Sequence, residues 1–298
     1  MGFGEDSPRH HLDGHGDMSA IDPVLEADYN LIASLEGVDE LMQRWTRQSA
    51  ALRKTADASL DCAYGSHERE RIDVFRSGVN NAPLYLYIHG GYWQRGDKNL
   101  YSFITAPFVA AGIDVAIIGY PLCPQVSMTD LLTSIRQAIG WLYRNAGQLG
   151  INRDRFNLSG HSAGGHLTAM ALCSDWTDRG EGLPGDLLKT AMPFSGLYDL
   201  EPLTHTTISE VLHLTQAELY RLSPVFQQPP VDIPLLTVLG GGETGEFFRQ
   251  TEQLHGAWSS LLTQVDRHVE PEVDHLRLID RLADPDSQLF RRIAGWLR

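Results

Sequence analysis

The chain has 298 residues and a formal net charge of −14, from 24 Lys+Arg against 38 Asp+Glu. That acidic balance excludes the basic face a nucleic-acid partner needs and disfavours binding to an anionic membrane surface. Hydrophobic residues at 42% and charged residues at 21% describe an ordinary globular protein, with enough length to bury a substantial core.

Residues 1–20 are rich in Gly, His and Asp. His10, His11 and His15 with Asp13 and Asp17 include metal-ligand types, but a polar tail reads more simply as solvated. A flexible extension over 1–20 and one domain over 21–298 are therefore expected. No nucleotide cofactor is expected, since no phosphate-cradling glycine motif follows a strand, and the serine chemistry set out below needs no metal. The tail lacks the apolar segment of a signal peptide, and no later run approaches about 18 apolar residues. The three cysteines, Cys62, Cys123 and Cys173, have no C-x-x-C spacing and suit a reducing compartment. A cytoplasmic protein is expected, monomeric or, as the commonest alternative, a homodimer.

Residues 22–56 read as helical. Asp22-Pro23 opens the segment, and Val38, Leu41, Met42, Trp45, Ser49 and Leu52 fall near a 3.6-residue period. Residues 71–75 alternate as a half-buried edge strand would. Residues 83–88 form a stronger strand that ends in His89-Gly90-Gly91-Tyr92-Trp93. A helix over 101–111 leads to the apolar strand 113–118, and 127–149 is a long amphipathic helix stopped by Gly150. A strand just before Ser162 and strands at 191–195, 233–239 and 265–269 alternate with helices at 163–173, 246–262 and 286–297. This alternation is the signature of an α/β fold with a mostly parallel central sheet and helices on both faces. The N-terminal helices and the 197–230 segment are expected to form a small lid.

The chemistry centres on Gly160-His161-Ser162-Ala163-Gly164. In a strand–turn–helix setting, G-x-S-x-G puts the serine on a strained elbow with its hydroxyl exposed above the sheet. A serine hydroxyl needs a base to take its proton and an acid to hold that base. His275 follows the last strand and fits the base. Glu243 follows the preceding strand, after Gly240-Gly241-Gly242, and fits the acid. Glu246, Asp266 and Asp274 compete for that role, and chain order favours Glu243. The oxyanion of a tetrahedral intermediate needs N–H donors, which Ala163 and the Gly90-Gly91-Tyr92 loop can supply. His89 reads as a brace for that loop. His161 and His166 read first as packing groups. His166, Trp93, Trp176, Leu197 and Tyr198 are candidates for a substrate pocket beside Tyr92, and each could equally be core.

The set H-G-G-Y-W, G-H-S-A-G-G-H, S-G-L-Y-D-L, G-G-x-E-T-x-E-F-x-R-Q and V-D-H resembles the arylformamidase (kynurenine formamidase) group of the α/β-hydrolase superfamily. The resemblance runs from about Tyr29 to His275, and Leu276 departs from the phenylalanine that group often has. It implies Ser162 as nucleophile, Glu243 as acid and His275 as base. It also implies hydrolysis of an N-formyl or N-acyl aryl amide, such as N-formylkynurenine or an N-acylanthranilate. A carboxylesterase on aryl or alkyl esters is the second reading. A non-catalytic binding protein would require a broken triad, and all three residues are present.

Overall fold

The computed structural model describes residues 20–179 and 182–298, so the expectations for the His- and Asp-rich tail lie outside the described residues. Eight strands form one sheet: β1 (Ala58–Ala63), β2 (Arg71–Phe75), β3 (Leu84–Ile88), β4 (Asp114–Ile118), β5 (Phe156–His161), β6 (Leu188–Phe194), β7 (Leu235–Gly240) and β8 (Val265–Glu270). Their spatial order is β1-β2-β4-β3-β5-β6-β7-β8. β2 is antiparallel to both β1 and β4, and the pairings from β4 across to β8 are parallel.

Three helices precede the sheet: α1 (Pro23–Tyr29), α2 (Leu31–Ser34) and α3 (Val38–Leu52). The others are α4 (Thr105–Ala110), α5 (Met128–Leu149), α6 (Ala163–Leu172), α7 (Ser209–Leu212), α8 (Gln216–Leu222), α9 (Gly245–Trp258), α10 (Leu278–Ala283) and α11 (Gln288–Trp296). α5 starts at a reciprocal Ser127–Asp130 capping box and stops at Gly150, whose φ of 70° suits a residue without a Cβ. Helices cover both sheet faces. On β3, Leu84, Leu86 and Ile88 enter one apolar core while Tyr85 and Tyr87 enter the other. Two buried faces explain why the central strands are unbroken apolar runs. Each large apolar side chain so buried contributes about 1.5–3 kcal/mol.

Residues 71–75 are not the sheet edge. β1 lies outside them, and Ile72 to Phe75 are buried. The small and polar residues of β1 hide its strand character. Its register shifts between Ser59 and Cys62, with Asp61 at φ 55°, as a β-bulge requires. A charge cluster built on the buried Asp73 and Lys98 holds the bulge. Asp61 N–H donates to Asp73 at 2.7 Å, Lys98 Nζ bridges Asp61 and Asp73 at 2.5 and 2.8 Å, and Arg53 pairs with Asp73.

β3 sits at the topological switch. The chain goes from β3 to its neighbour β4 and then crosses back to β5 on the other side. Loops leaving β3 and β5 therefore diverge and open a crevice at the carboxyl ends of the strands.

Candidate active site

The elbow after β5 is built by close approach. Ser162 has φ 59° and ψ −119°, and its N–H donates to Phe194 O at 2.8 Å. A Cβ on Gly160 would lie 2.3 Å from Gly164 O, and one on Gly164 would lie 2.1 Å from Ile88 O. Both glycines are there because the α6 backbone passes directly over β3 and β5. The N–H of Ala163 falls in the first turn of α6, where no intrahelical acceptor exists.

The loop after β3 approaches from the side. A Cβ on Gly90 would lie 2.9 Å from His161 O and 3.1 Å from Ser162 Cβ. Gly91, Tyr92 and Trp93 all have positive φ, at 122°, 50° and 59°. His89 braces this loop: its Nδ1 donates to Gly90 O at 2.7 Å, and its ring stacks on Tyr120 at 4.3 Å.

Glu243 and His275 meet through clasped loops. Gly241 N–H donates to Glu270 O at 2.7 Å and Gly242 N–H to Val273 O at 3.0 Å. A Cβ on Gly240 would lie 2.3 Å from Val273 O. The three glycines thus serve close approach of the two loops; none of them has a positive φ. His275 Nδ1 donates to Glu243 Oε2 at 2.6 Å, which leaves Nε2 with its lone pair free. Glu243 Oε1 accepts from Gly240 N–H at 2.8 Å and from the Ser195 hydroxyl. Ser195 opens the S-G-L-Y-D-L segment, but that segment alone does not give its hydroxyl a partner. Its φ of 44° at the end of β6 turns its hydroxyl to the carboxylate.

The competing carboxylates are engaged elsewhere. Glu246 holds Arg249 and Tyr29, Asp274 holds Arg277 at 2.5 Å, and Asp266 faces Arg292 at 3.7 Å.

Ser162 and His275 line one cavity of about 220 Å³, together with Gly90, Gly91, Tyr92 and His161. The rest of its wall is Leu31, Ile32 and Met42 from the N-terminal helices, and Arg95, Gly96, Leu100, Tyr101 and Leu276. The N-terminal helices therefore reach the site, and the 199–214 segment backs them. Asp22 N–H donates to His205 O at 2.8 Å, and Glu26 accepts from Thr207. Tyr92 Oη donates to the Tyr29 carbonyl, tying the lid to the glycine loop.

The expected pocket residues Trp93, His166, Trp176, Leu197 and Tyr198 do not line this cavity; all five are buried packing groups. The left-handed backbone at Tyr92 and Trp93 carries the indole inward. There its Nε1 donates to His166 Nδ1 at 3.2 Å, and His166 Nε2 donates to Leu222 O at 2.7 Å. Tyr198 folds over Gly196, whose N–H donates to its phenol at 3.1 Å. A second cavity of about 270 Å³, between Leu200 and Leu214, shares no lining residue with the first.

Burial pushes the His89 and His166 imidazoles down to about 4 and drives His161 well below its ordinary value of 6.5. The unfolded chain therefore binds more protons than the fold as pH drops below about 6.5. Stability is full above about pH 6.5 and is lost progressively towards pH 4. His89 and His166 are each expected to remove on the order of 2 kcal/mol by pH 5, before most carboxylates titrate, and His161 acts in the same direction. Urea midpoints between pH 7 and pH 5 check this; a flat profile contradicts it.

A mostly parallel eight-stranded sheet, a serine on the β5–α6 elbow and a His–acid pair beyond β7 and β8 together define an α/β-hydrolase. Residues 72–194 match the BD-FAE family. A kynurenine formamidase of Danio rerio is 30% identical over 246 residues, 80% of this chain and 82% of that protein. An isoprenylcysteine alpha-carbonyl methylesterase of Arabidopsis thaliana is 30% identical over 47% of this chain and 34% of its own length. A solved structure from Silicibacter, described as a thioesterase, is 31% identical with a TM-score of 0.79, covering 90% of this chain and 97% of that one. The chain belongs to the kynurenine formamidase family. It is a hydrolase acting on esters or amides.

Proposed function

We propose that the protein cleaves an N-formyl or short N-acyl aryl amide through an acyl-enzyme on Ser162. The observation that carries this reading is the shared cavity: Ser162 and the Glu243-held His275 open into one small, mostly apolar space. His275 Nε2 takes the Ser162 proton as Oγ attacks the carbonyl carbon. The oxyanion falls to the N–H groups of Ala163 and the Gly90-Gly91-Tyr92 loop. His275 then returns its proton to the departing aryl amine, which leaves poorly as an anion. Water, deprotonated by the same imidazole, releases the acid and restores Ser162.

A volume of about 220 Å³ lies below the roughly 300–1,000 Å³ of drug-sized ligand sites, so a single ring with a short acyl group fits best. Leu31, Ile32, Met42, Leu100 and Leu276 give the ring an apolar wall. Ester cleavage is the second reading, favoured by the methylesterase relative, because the same machinery serves an alkoxide leaving group more easily.

A panel of formanilide, butyranilide and phenyl formate separates these readings. The expected order in kcat/KM is formanilide well above butyranilide, with measurable amide turnover. Ester turnover without amide turnover would leave the carboxylesterase reading. Fluorophosphonate is expected to label Ser162, and labelling elsewhere would remove it as nucleophile.

A further inference from the structure

Among the residues lining the Ser162 cavity, Arg95 alone is an Arg, Lys, Asp or Glu. Its neighbours there are apolar side chains, glycines, tyrosines, histidines and the serine. Among the described residues its guanidinium has no ion pair and no hydrogen bond. Arg44, Arg53, Arg69, Arg76 and Arg249 each hold a carboxylate.

The stem of Arg95 is fixed. The N–H groups of Gln94 and Arg95 both donate to Gly91 O at 3.0 Å. A Cβ on Gly91 would lie 2.1 Å from Arg95 O and 3.2 Å from its Cγ. Arg95 therefore springs from the same tight turn that carries the candidate anion-binding loop, and it lines the cavity that holds Ser162. The chain as a whole carries a net charge of −14, so a cation at this cavity supplies a local attraction for an anion that the net charge opposes.

We propose that Arg95 binds a carboxylate on the aryl amine half of the substrate, which makes the preferred substrates anionic N-acyl aryl amides. The identity of the leaving group rests on the function proposed above; the recognition of a carboxylate at this cavity does not. A guanidinium offers two parallel N–H donors matched to the two carboxylate oxygens, a geometry that a lysine ammonium lacks. Arg95 is a recognition residue, and its effect falls on KM before kcat.

The test compares formanilides bearing a carboxylate on the ring, a carboxylate on a short side chain, or no carboxylate. Wild type, Arg95→Met, Arg95→Lys and Arg95→Glu are assayed on each. The ratio of kcat/KM for the better acid over the neutral amide is expected to fall about ten- to a hundredfold in Arg95→Met, with Arg95→Lys in between and Arg95→Glu lowest. The arm with the larger loss tells where the carboxylate sits. A fall of less than about fivefold in Arg95→Met overturns the proposal.

Calorimetric titration with 2-aminobenzoate and aniline reads the same site without turnover. Tighter binding of the acid, lost in Arg95→Met, upholds the carboxylate site even if no amide is cleaved, in which case only the amide reading falls. Equal binding of the two ligands, or equal binding by the two proteins, overturns the Arg95 assignment itself. Arg95 is exposed, and unchanged circular dichroism of the variants excludes misfolding as the cause.

Discussion

Ser162→Ala is expected to lower kcat by about 10⁴-fold or more while the protein stays folded. The methyl side chain fills nearly the same space, but nothing remains for His275 to deprotonate. Ser162→Gly is expected to be equally inactive and more stable than the alanine variant. The φ of 59° and ψ of −119° at this position are unfavourable for any residue with a Cβ. Such strain is worth about 1–3 kcal/mol, against about 0.4–1 kcal/mol for the looser unfolded chain of a glycine variant. The difference of about 1 kcal/mol corresponds to a melting temperature some 1–2 °C above that of Ser162→Ala. Retained turnover in Ser162→Ala would dismiss the nucleophile. A glycine variant that melts below the alanine variant would dismiss the strain.

Glu243→Gln is the second large effect, and its size follows from two neighbours. Gly240 N–H and the Ser195 hydroxyl both donate to Oε1. A glutamine must keep its carbonyl oxygen on that side, because a main-chain N–H cannot become an acceptor. Its NH₂ then faces His275. The ring can answer only by accepting at Nδ1, which moves its proton to Nε2 and removes the lone pair that would serve Ser162. A loss of about 10⁴-fold in kcat is expected, with little change in KM, as for other triads with an inverted tautomer. Steady-state kinetics on the best anilide checks it. A loss below about tenfold would mean that Glu243 does not orient the imidazole.

The residues legible in the sequence were those with short, local constraints. Ser162 is flanked by glycines that its own elbow requires, and Glu243 and His275 follow strands whose apolar runs are unmistakable. The role of Ser195 is not legible from its place at the head of S-G-L-Y-D-L, because its contact with Glu243 arises only when β6 lies beside β7. The cavity wall departs from the expected pocket for a related reason. Trp93, Trp176 and Tyr198 stand near the motifs, but proximity along the chain does not say which way a side chain turns, and positive φ at Trp93 turns it into the core. The apolar wall of the Ser162 cavity comes from Leu31, Ile32, Met42 and Leu100, whose character in helical segments is indistinguishable from core. β1 escaped notice because Asp61 and Cys62 break its alternation where the bulge falls.

That bulge bears on how copies of the chain can meet. A sheet grows between molecules when a straight, unpaired strand edge is offered as a template. On one side of this sheet, β1 is interrupted at Asp61 and carries the charges of Lys98 and Arg53 at its kink. On the other, β8 displays Asp266 and Arg267, which face Arg292 and Glu252. Neither margin is a smooth docking line. Strand addition, whether into a dimer or into an aggregate, is disfavoured at both ends of the sheet, and self-association is left to the helical faces.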